Sequence, residues 1–181
     1  TQFRDLFEKN KSVGMVVDPS DGSIIDANKA AVEFYGYNKR QLLALNISSI
    51  NTLSIEKVRD EMLAAKSEQR NYFVFKHRLA NGEIRDVEIH SGPIEWDGKE
   101  LLYSIVHDIS ERKRAEHYIQ KTSEILDAVA KGEKPKLIYS RICNLYETRN
   151  PDMRASILWL QGNQLFHAAS PILPEAYSQA I

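Results

Sequence analysis

Three glycine-containing turns separate apolar runs in this chain, and they restrict its fold more than any other feature. The turns are Asp21-Gly22, Asn81-Gly82 and Asp97-Gly98. Asp-Gly and Asn-Gly favour tight hairpins because both central residues of a type I′ turn need a positive φ. The turns predict three antiparallel pairings: Met15–Asp18 with Ser23–Ala27, Tyr72–Ala80 with Ile84–Ser91, and Glu88–Trp96 with Lys99–Asp108.

Short helical patterns lie between the first hairpin and the second. Asn28 and Asn38 each stand where an N-cap belongs, and Gln41 gives the second cap a capping-box pattern. A third apolar face recurs at helical spacing, at Ile55, Val58, Met62 and Ala65. Two strands, several short helices and then three strands predict an α+β fold with one antiparallel sheet.

Two further segments have an amphipathic helical pattern. In Gln2–Lys9, the residues Phe3, Leu6 and Phe7 share one face. After Ile109, apolar or small residues recur at alternating steps of four and three, at Ala115, Ile119, Thr122, Leu126 and Val129. That spacing favours a helix that pairs with a second copy of itself. Packing of this helix on its own domain is the alternative, because the pattern covers barely two heptads.

The charge balance bears on partners and compartment. Lys and Arg total 24 against 25 Asp and Glu, so no basic surface predicts nucleic acid or membrane binding. No signal peptide or apolar run long enough to span a bilayer is present, which predicts a cytoplasmic location without membrane insertion. Both ends interrupt a predicted element, so we expect a fragment of a longer protein.

Residues 1–114 resemble a PAS domain of the PAS/PAC type. The resemblance rests on Gly22–Ala31, on Phe34–Tyr37 with Leu42-Leu43, on Asn81–Glu83, and on the closing Asp108-Ile109-Ser110-Glu111-Arg112. It implies a five-stranded antiparallel sheet with short helices on one face around a pocket. It also implies that the signal output runs through Asp108, Ser110 and Arg112, with Asp108 capping the following helix.

The second part of the chain resembles the opening of a GAF domain. Its carriers are Met153–Leu158 and Leu165–Pro171 with Leu173-Pro174. The resemblances together imply a PAS domain with a cap helix over 1–109, a connecting signalling helix over 110–134, and a truncated, GAF-like α/β start over 135–181.

The register of the PAS family sorts the strand residues into a pocket wall and an outer face, because side chains alternate along a strand. Asp86, Glu88 and His90 are expected to face outward. His77 is the candidate hydrogen-bonding group, and a histidine satisfied by protein or water is its alternative. For Tyr35, packing of the helical region is the alternative to ligand contact. The predicted cofactor-binding residues are Tyr35, Phe73, Phe75, His77, Val87, Ile89, Ser91, Ser104 and Val106.

The usual PAS cofactors fit this sequence unequally. A flavin–thiol adduct is excluded because the only cysteine, Cys143, lies outside the PAS-like part. Haem is disfavoured: no Cys-x-x-Cys-His motif is present, and the segment Ile55–Lys66 offers no axial histidine. FAD without a covalent link, or a small metabolite, remains compatible. No group of residues has metal-ligand spacing.

The resemblance implies a sensory and dimerisation module of a bacterial signalling protein. Pocket occupancy would act through the C-terminal helix on a downstream effector domain in the same chain, and cyclic-diguanylate turnover is the expected output. A homodimer through the cap helix and helix 110–131 is expected. The alternative is a ligand-free interaction module. No catalytic motif predicts an enzyme within this fragment, whereas the full-length protein is open to cyclase, phosphodiesterase or histidine kinase activity.

Overall fold

The computed structural model describes residues 2–174 and 176, without the side chains of Gln2 and Phe3. These residues divide into two compact units, with the boundary after Lys113. The first unit contains a five-stranded antiparallel sheet in the order β2-β1-β5-β4-β3. This confirms the predicted α+β architecture. The strands are β1 Val13–Val17, β2 Ile24–Ala27, β3 Tyr72–Arg78, β4 Ile84–Trp96 and β5 Lys99–Asp108.

The three turns join the strands that the sequence predicted. Gly22, Gly82 and Gly98 all adopt positive φ, at 81°, 86° and 76°. Asp97 also has a positive φ of 49°, as a type I′ turn requires of its first central residue. The two hairpins of β3, β4 and β5 therefore form one continuous meander at the edge of the sheet.

Five helices belong wholly to the first unit, among its described residues. The predicted caps are confirmed: Asn28 accepts a hydrogen bond from the Ala31 amide, and Asn38 forms a complete capping box with Gln41. Gly36 ends the second helix in the left-handed conformation that favours glycine. The helices are α1 Gln2–Lys9, α2 Lys29–Tyr35, α3 Lys39–Leu43, α4 Ile47–Ile50 and α5 Ile55–Lys66.

The sheet buries a different set of residues on each face. Helices α2 to α5 supply Tyr35, Leu42, Ile50 and Ala65 to the core on the inner face. On the outer face, Phe7 of α1 packs edge-on against Trp96 and Tyr103, with ring centroids 5.7 and 5.9 Å apart. Leu6 is 68% exposed although it shares the predicted apolar face of α1. The side chain of Phe3 lies outside the described part.

Asn28 fastens three segments of the first unit together. Its side chain is fully buried, and its Nδ2 donates to the carbonyls of Phe7, Asn10 and Ser12 at 3.1, 3.3 and 2.8 Å. Its Oδ1 accepts from the amides of Gly14 and Ala31. The predicted helix cap thus also holds the loop after α1 beside β1.

Helix α6, Ser110–Ala130, begins in the first unit and continues into the second. It continues with α7 Pro135–Arg149 and a hairpin of β6 Ile157–Gln161 and β7 Gln164–Ala169. Residues 175 and 177–181 of the predicted segment 135–181 lie outside the described residues. The GAF resemblance of this unit stays a prediction.

Candidate functional site

A small cavity lies between the inner face of the sheet and helices α4 and α5. Its volume is about 60 Å³. Side chains from β1, β3, β4, β5 and both helices form its wall, which is mostly apolar. The lining residues are Met15, Val17, Ile47, Asn51, Val58, Glu61, Met62, Ala65, Phe73, Phe75, His77, Ile89, Ser91, Leu102 and Ser104.

Strand alternation places the predicted wall residues as expected. Phe73, Phe75 and His77 project from the same face of β3, and the rings of Phe73 and Phe75 stack 5.6 Å apart. Ile89 and Ser91 come from β4, while Ser104 comes from β5. Each of these residues lines the cavity, so the family register locates the wall of a pocket. Their role in binding stays a prediction.

Val87, Val106 and Tyr35 are placed differently from the other predicted site residues. All three are buried in the core around the cavity, and none of them lines it. Tyr35 nevertheless reaches the wall indirectly, because its hydroxyl oxygen lies 2.8 Å from Nδ1 of His77. Tyr35 therefore supports His77, and its contact with a ligand stays a prediction.

His77 is the central polar group of the cavity wall. Its side chain is 0% exposed, and burial lowers the pKa of His77 to about 4, so the imidazole is neutral at pH 7. Burial likewise raises the pKa of Tyr35, which keeps its hydroxyl protonated. The Tyr35–His77 dyad is therefore uncharged, and two hydrogens have to be assigned to it.

The proton arrangement of the dyad follows from its hydrogen bonds. If Tyr35 donates to Nδ1, the tyrosine hydrogen is satisfied and the imidazole carries its own hydrogen on Nε2. The reverse arrangement leaves the tyrosine hydrogen without an acceptor among the described residues, and that costs more. Nε2 of His77 has no partner among them either. Nε2–H is thus a buried donor without a partner among the described residues, on a side chain that lines the cavity.

Two serines line the cavity on the sheet side. Ser91 and Ser104 are directly paired across β4 and β5, and their hydroxyl oxygens lie 2.9 Å apart. This bond satisfies one hydroxyl hydrogen of the pair and leaves the other for a neighbour. The two serines thus join β4 and β5 at the cavity wall.

The sequence analysis did not assign several wall residues to the pocket. Met15 and Val17 alternate on β1 as the wall residues of β3 do, so the same periodicity could have identified them. Val58, Met62 and Ala65 were recognised as one helical face but not as cavity wall. No sequence pattern indicated that Asn51 and Glu61 line the cavity, because a single polar residue in a helical region has no periodicity to identify it.

The beginning of α6 is fastened to β4 by backbone and side-chain contacts. Oδ1 of Asp108 accepts from the Ser110 amide at 2.8 Å, and Oδ2 accepts from Arg85 at 2.9 Å. The Asp86 amide donates to Oγ of Ser110 at 2.9 Å. The Ile109 amide donates to the Asp86 carbonyl at 2.9 Å. Asp108 therefore lies two residues before the first residue of α6 and is also tied to the neighbouring strand, and its role in signal output stays a prediction.

Charge adds a further contact at this junction. Arg112 donates to the Glu88 carboxylate at 2.8 Å, and this bond is the main reason that the pKa of Glu88 lies below its usual range. Burial works to raise the pKa of Asp108, but hydrogen bonds from Ser110 and the charge of Arg85 outweigh it and lower the pKa. Both carboxylates thus remain ionised at neutral pH and hold the helix start.

The volume of the cavity limits what it can hold as it stands. Small-molecule sites usually enclose roughly 300–1,000 Å³, several times the space here. An isoalloxazine ring or a haem would require the wall to move apart. Trp96 is buried against α1 on the outer face, away from this wall. The described residues contain no group of three or more side chains arranged to hold a metal ion.

A separate search for membrane-spanning segments was negative. Among the described residues, no helix is both long enough and apolar enough to cross a bilayer.

Comparisons with known proteins give a consistent result. The family model described as "PAS domain" matches residues 12–111. Diguanylate cyclase DgcM from Escherichia coli (strain K12) is 39% identical over 123 residues, 65% of this chain and 29% of the relative. A methyl sulfide methyltransferase-associated sensor from Methanosarcina acetivorans is 27% identical over 131 residues, 72% of this chain and 13% of the relative. The chain thus spans less than a third of either relative.

The fold has counterparts among solved structures. The PAS domain of an HTR-like protein from Haloarcula marismortui superposes with a TM-score of 0.54 at 23% identity, covering 60% of this chain and 89% of that one. At this identity the likeness concerns the fold alone, and it agrees with the five-stranded sheet described above.

Proposed function

Because the chain belongs to the PAS domain family, we propose that its first unit is a sensor that takes a small ligand in the cavity. Occupancy then acts through α6 on a downstream effector domain in the same chain. One observation carries this proposal: a mostly apolar cavity is lined by His77, whose Nε2 is buried without a partner among the described residues. An unsatisfied buried polar group is costly, so an occupant that accepts this hydrogen bond stabilises the fold.

The strands connect the cavity to the output helix. Ile89 and Ser91 of β4 line the cavity. Glu88, the neighbour of Ile89, points to the other face of the sheet and binds Arg112 of α6. On β5, Ser104 lines the cavity four residues before Asp108. A displacement of either strand by an occupant therefore moves residues that hold the start of α6.

The relatives and the exposed residues of α6 support a proposal for the output and the assembly. We propose cyclic-diguanylate turnover as the output because one relative is a diguanylate cyclase that extends well beyond the matched region. Enzymatic activity is accordingly assigned to the full-length protein. We further propose a cytoplasmic homodimer through the cap helix and helix 110–131, since Leu6, Ile119, Leu126 and Val129 are exposed. The segment from 135 is proposed as the start of a GAF domain.

A ligand-free interaction module is the second candidate. The observation in its favour is the cavity volume of about 60 Å³, which ordered water alone can fill. In that case the apolar face of α6 would carry the whole function, and the Tyr35–His77 pair would serve only the core.

A cavity-filling variant separates the two candidates. Ala65→Leu adds three carbons to the wall, and Ile55→Leu on the exposed side of the same helix is the control, since Ile55 is 63% exposed. Mass spectrometry of denatured extracts measures retained small molecules, and hydrogen exchange measures the amides of Ser110–Lys113. We expect wild type and the control to retain a stoichiometric molecule, and Ala65→Leu to lose it and to change exchange at the helix start.

The opposite result would favour the interaction module. An empty wild-type extract, together with unchanged exchange at Ser110–Lys113 in Ala65→Leu, would show that the cavity is not coupled to α6.

A further inference from the structure

The exposure of the lining residues shows where the cavity opens to solvent. The lining residues on β1, β4 and β5 are all buried. Those that keep partial contact with solvent come from α4, α5 and β3, and they are Ile47, Glu61, Met62 and Phe75. Because these residues border both the cavity and solvent, the mouth of the cavity lies between α5 and β3, beside α4.

An ion pair lies at this mouth. Glu61 of α5 is paired with Arg70, which follows the helix, and the two side chains are 30% and 52% exposed. The Arg70 amide also donates to the Ala64 carbonyl of α5 at 3.3 Å. The Arg70 guanidinium lies over the ring of Phe73, a lining residue on β3, 4.7 Å from its centroid. Arg70 is thus attached to α5 and reaches across to the strand.

The backbone on either side of α5 is attached to the sheet. Before the helix, the Thr52 amide donates to the Lys76 carbonyl of β3 at 3.0 Å. After the helix, the Asn71 carbonyl accepts from the Ser91 amide of β4 at 2.9 Å. The chain therefore leaves the sheet at Thr52 and returns to it at Asn71, and α5 lies between these two attachments.

Helix α5 itself packs lightly on the first unit. Its buried residues are Val58 and Ala65, whose side chains are small, whereas Leu63 is 52% exposed. An ion pair between Lys66 and Glu100 of β5, at 3.3 Å, is exposed on both sides. Elements that bury little apolar surface open locally at a lower cost in free energy than the core does.

We propose that α5 is a lid on the cavity and that Arg70, held by Glu61, is the clasp that keeps the lid closed against β3. A ligand enters when the guanidinium leaves the Phe73 ring and α5 moves away from the strand. This inference rests on the proposed sensor function and concerns entry into the same site.

A thiol on the far wall of the cavity measures the opening of the lid without any knowledge of the ligand. Ser104 of β5 lines the cavity and is 9% exposed, so Ser104→Cys places a thiol opposite α5. In the full chain, peptide mass spectrometry would follow its reaction with 4,4′-dithiodipyridine, an uncharged aromatic disulfide. Cys143 is the internal reference, because it is buried in the second unit. Ser91→Cys on β4 is the second reporter if Ser104→Cys does not fold.

The dependence of labelling on urea separates a lid from global unfolding. Local opening exposes little surface, so its rate depends weakly on urea, whereas labelling through global unfolding rises steeply. We expect the labelling at position 104 to depend weakly on urea. We expect Glu61→Gln to accelerate it roughly two- to fivefold, the factor that corresponds to an exposed ion pair. Arg70→Gln also removes the stacking on Phe73 and should add a further factor of roughly two to five.

Glu33→Gln is the matched control. It breaks the exposed pair between Lys29 and Glu33 on α2, and neither residue lines the cavity. The labelling rate at position 104 should stay unchanged in this variant, and the rate at Cys143 should stay unchanged in all three.

The outcomes distinguish the lid from the sensor function. Labelling at position 104 with a steep urea dependence overturns the lid, and so do equal rates in Glu61→Gln, Arg70→Gln and Glu33→Gln. The extract and exchange experiment on Ala65→Leu then decides the sensor function independently. Conversely, an empty extract with unchanged exchange refutes the sensor, whereas faster labelling in the two clasp variants still supports a lid over the cavity.

Discussion

Replacement of Asn28 by aspartate should destabilise the first unit severely, and the loss should depend on pH. In the folded protein, Nδ2 of Asn28 donates to three backbone carbonyls, while Oδ1 accepts from two amides. Asn28→Asp keeps the shape and the accepting oxygen. It replaces the donor by a second carboxylate oxygen that points at three carbonyl oxygens. Asn28→Ala removes the donor and the acceptor together.

The magnitude follows from the contacts that each variant loses. Three hydrogen bonds at about 1 kcal/mol each, plus about 1–3 kcal/mol for buried groups left unsatisfied, give a loss of roughly 4–6 kcal/mol for Asn28→Asp at pH 7. Domains of this kind have a free energy of unfolding of only about 5–15 kcal/mol. Asn28→Asp should therefore lower the melting temperature by roughly 20 °C or more.

The pH dependence has a definite sign. Burial beside carbonyl oxygens raises the folded-state pKa of the introduced carboxyl above its unfolded value of about 3.9. Its stability contribution is then fully present below the unfolded pKa and is lost as pH rises through the folded one. Lowering the pH from 7.5 toward 5 should thus recover stability in Asn28→Asp, since the protonated oxygen donates to a carbonyl. Asn28→Ala has no such group.

Urea denaturation followed by fluorescence measures these differences. Trp96 is buried in the first unit, so a Trp159→Phe background gives a signal from that unit alone, and every variant is compared with this background at each pH. Two results would refute the reasoning. One is an Asn28→Asp variant within about 1 kcal/mol of the background at pH 7. The other is a pair of parallel pH profiles for the aspartate and alanine variants.

Three further changes test other parts of the first unit. Tyr35→Phe leaves Nδ1 of His77 buried without its donor and should lower the free energy of unfolding in urea by about 1–3 kcal/mol. Wild-type stability of this variant would contradict a stabilising hydrogen bond between Tyr35 and His77. Asp108→Ala should lower the free energy of unfolding by about 0.5–2 kcal/mol and speed hydrogen exchange of the Ser110 amide. Because the pKa of Asp108 is lowered in the folded protein, its contribution to stability is present above the unfolded-state pKa and should be lost as the pH falls through the folded-state pKa. Gly82→Ala meets no atom within 4 Å but keeps a positive φ, so thermal unfolding should show a loss of about 1–2 kcal/mol, whereas an unchanged melting temperature would show that the turn relaxes.

Local chemistry made most of the first unit predictable. Hairpin turns, helix caps and strand alternation each depend on neighbouring residues, so Asn81-Gly82, Asn38 and the inward side of β3 could be identified from the chain alone. Asp108 was predictable for the same reason, because its acceptor role at the helix start involves Ser110 two residues later.

Contacts between distant residues were not predictable in the same way. Tyr35 and His77 are 42 positions apart, and no local pattern indicates that their side chains form a hydrogen bond. Asn28 was predicted as a helix cap, but its bonds to three carbonyls depend on how the loop after α1 folds back. Val87 and Val106 face the inner side as alternation requires, yet which inward residues border empty space is decided by the helices above them.

The construction of the junction at α6 has a practical consequence for protein engineering. The contacts described above at the helix start, from Arg85 on β4 to Arg112, all involve residues that precede Lys113. A chimera that joins a foreign output module after Lys113 therefore retains every one of these bonds. At 3.6 residues per turn, linkers that differ by whole heptads nearly preserve the orientation of the output, whereas an insertion of two residues turns it by about 200°, to the opposite side of the helix.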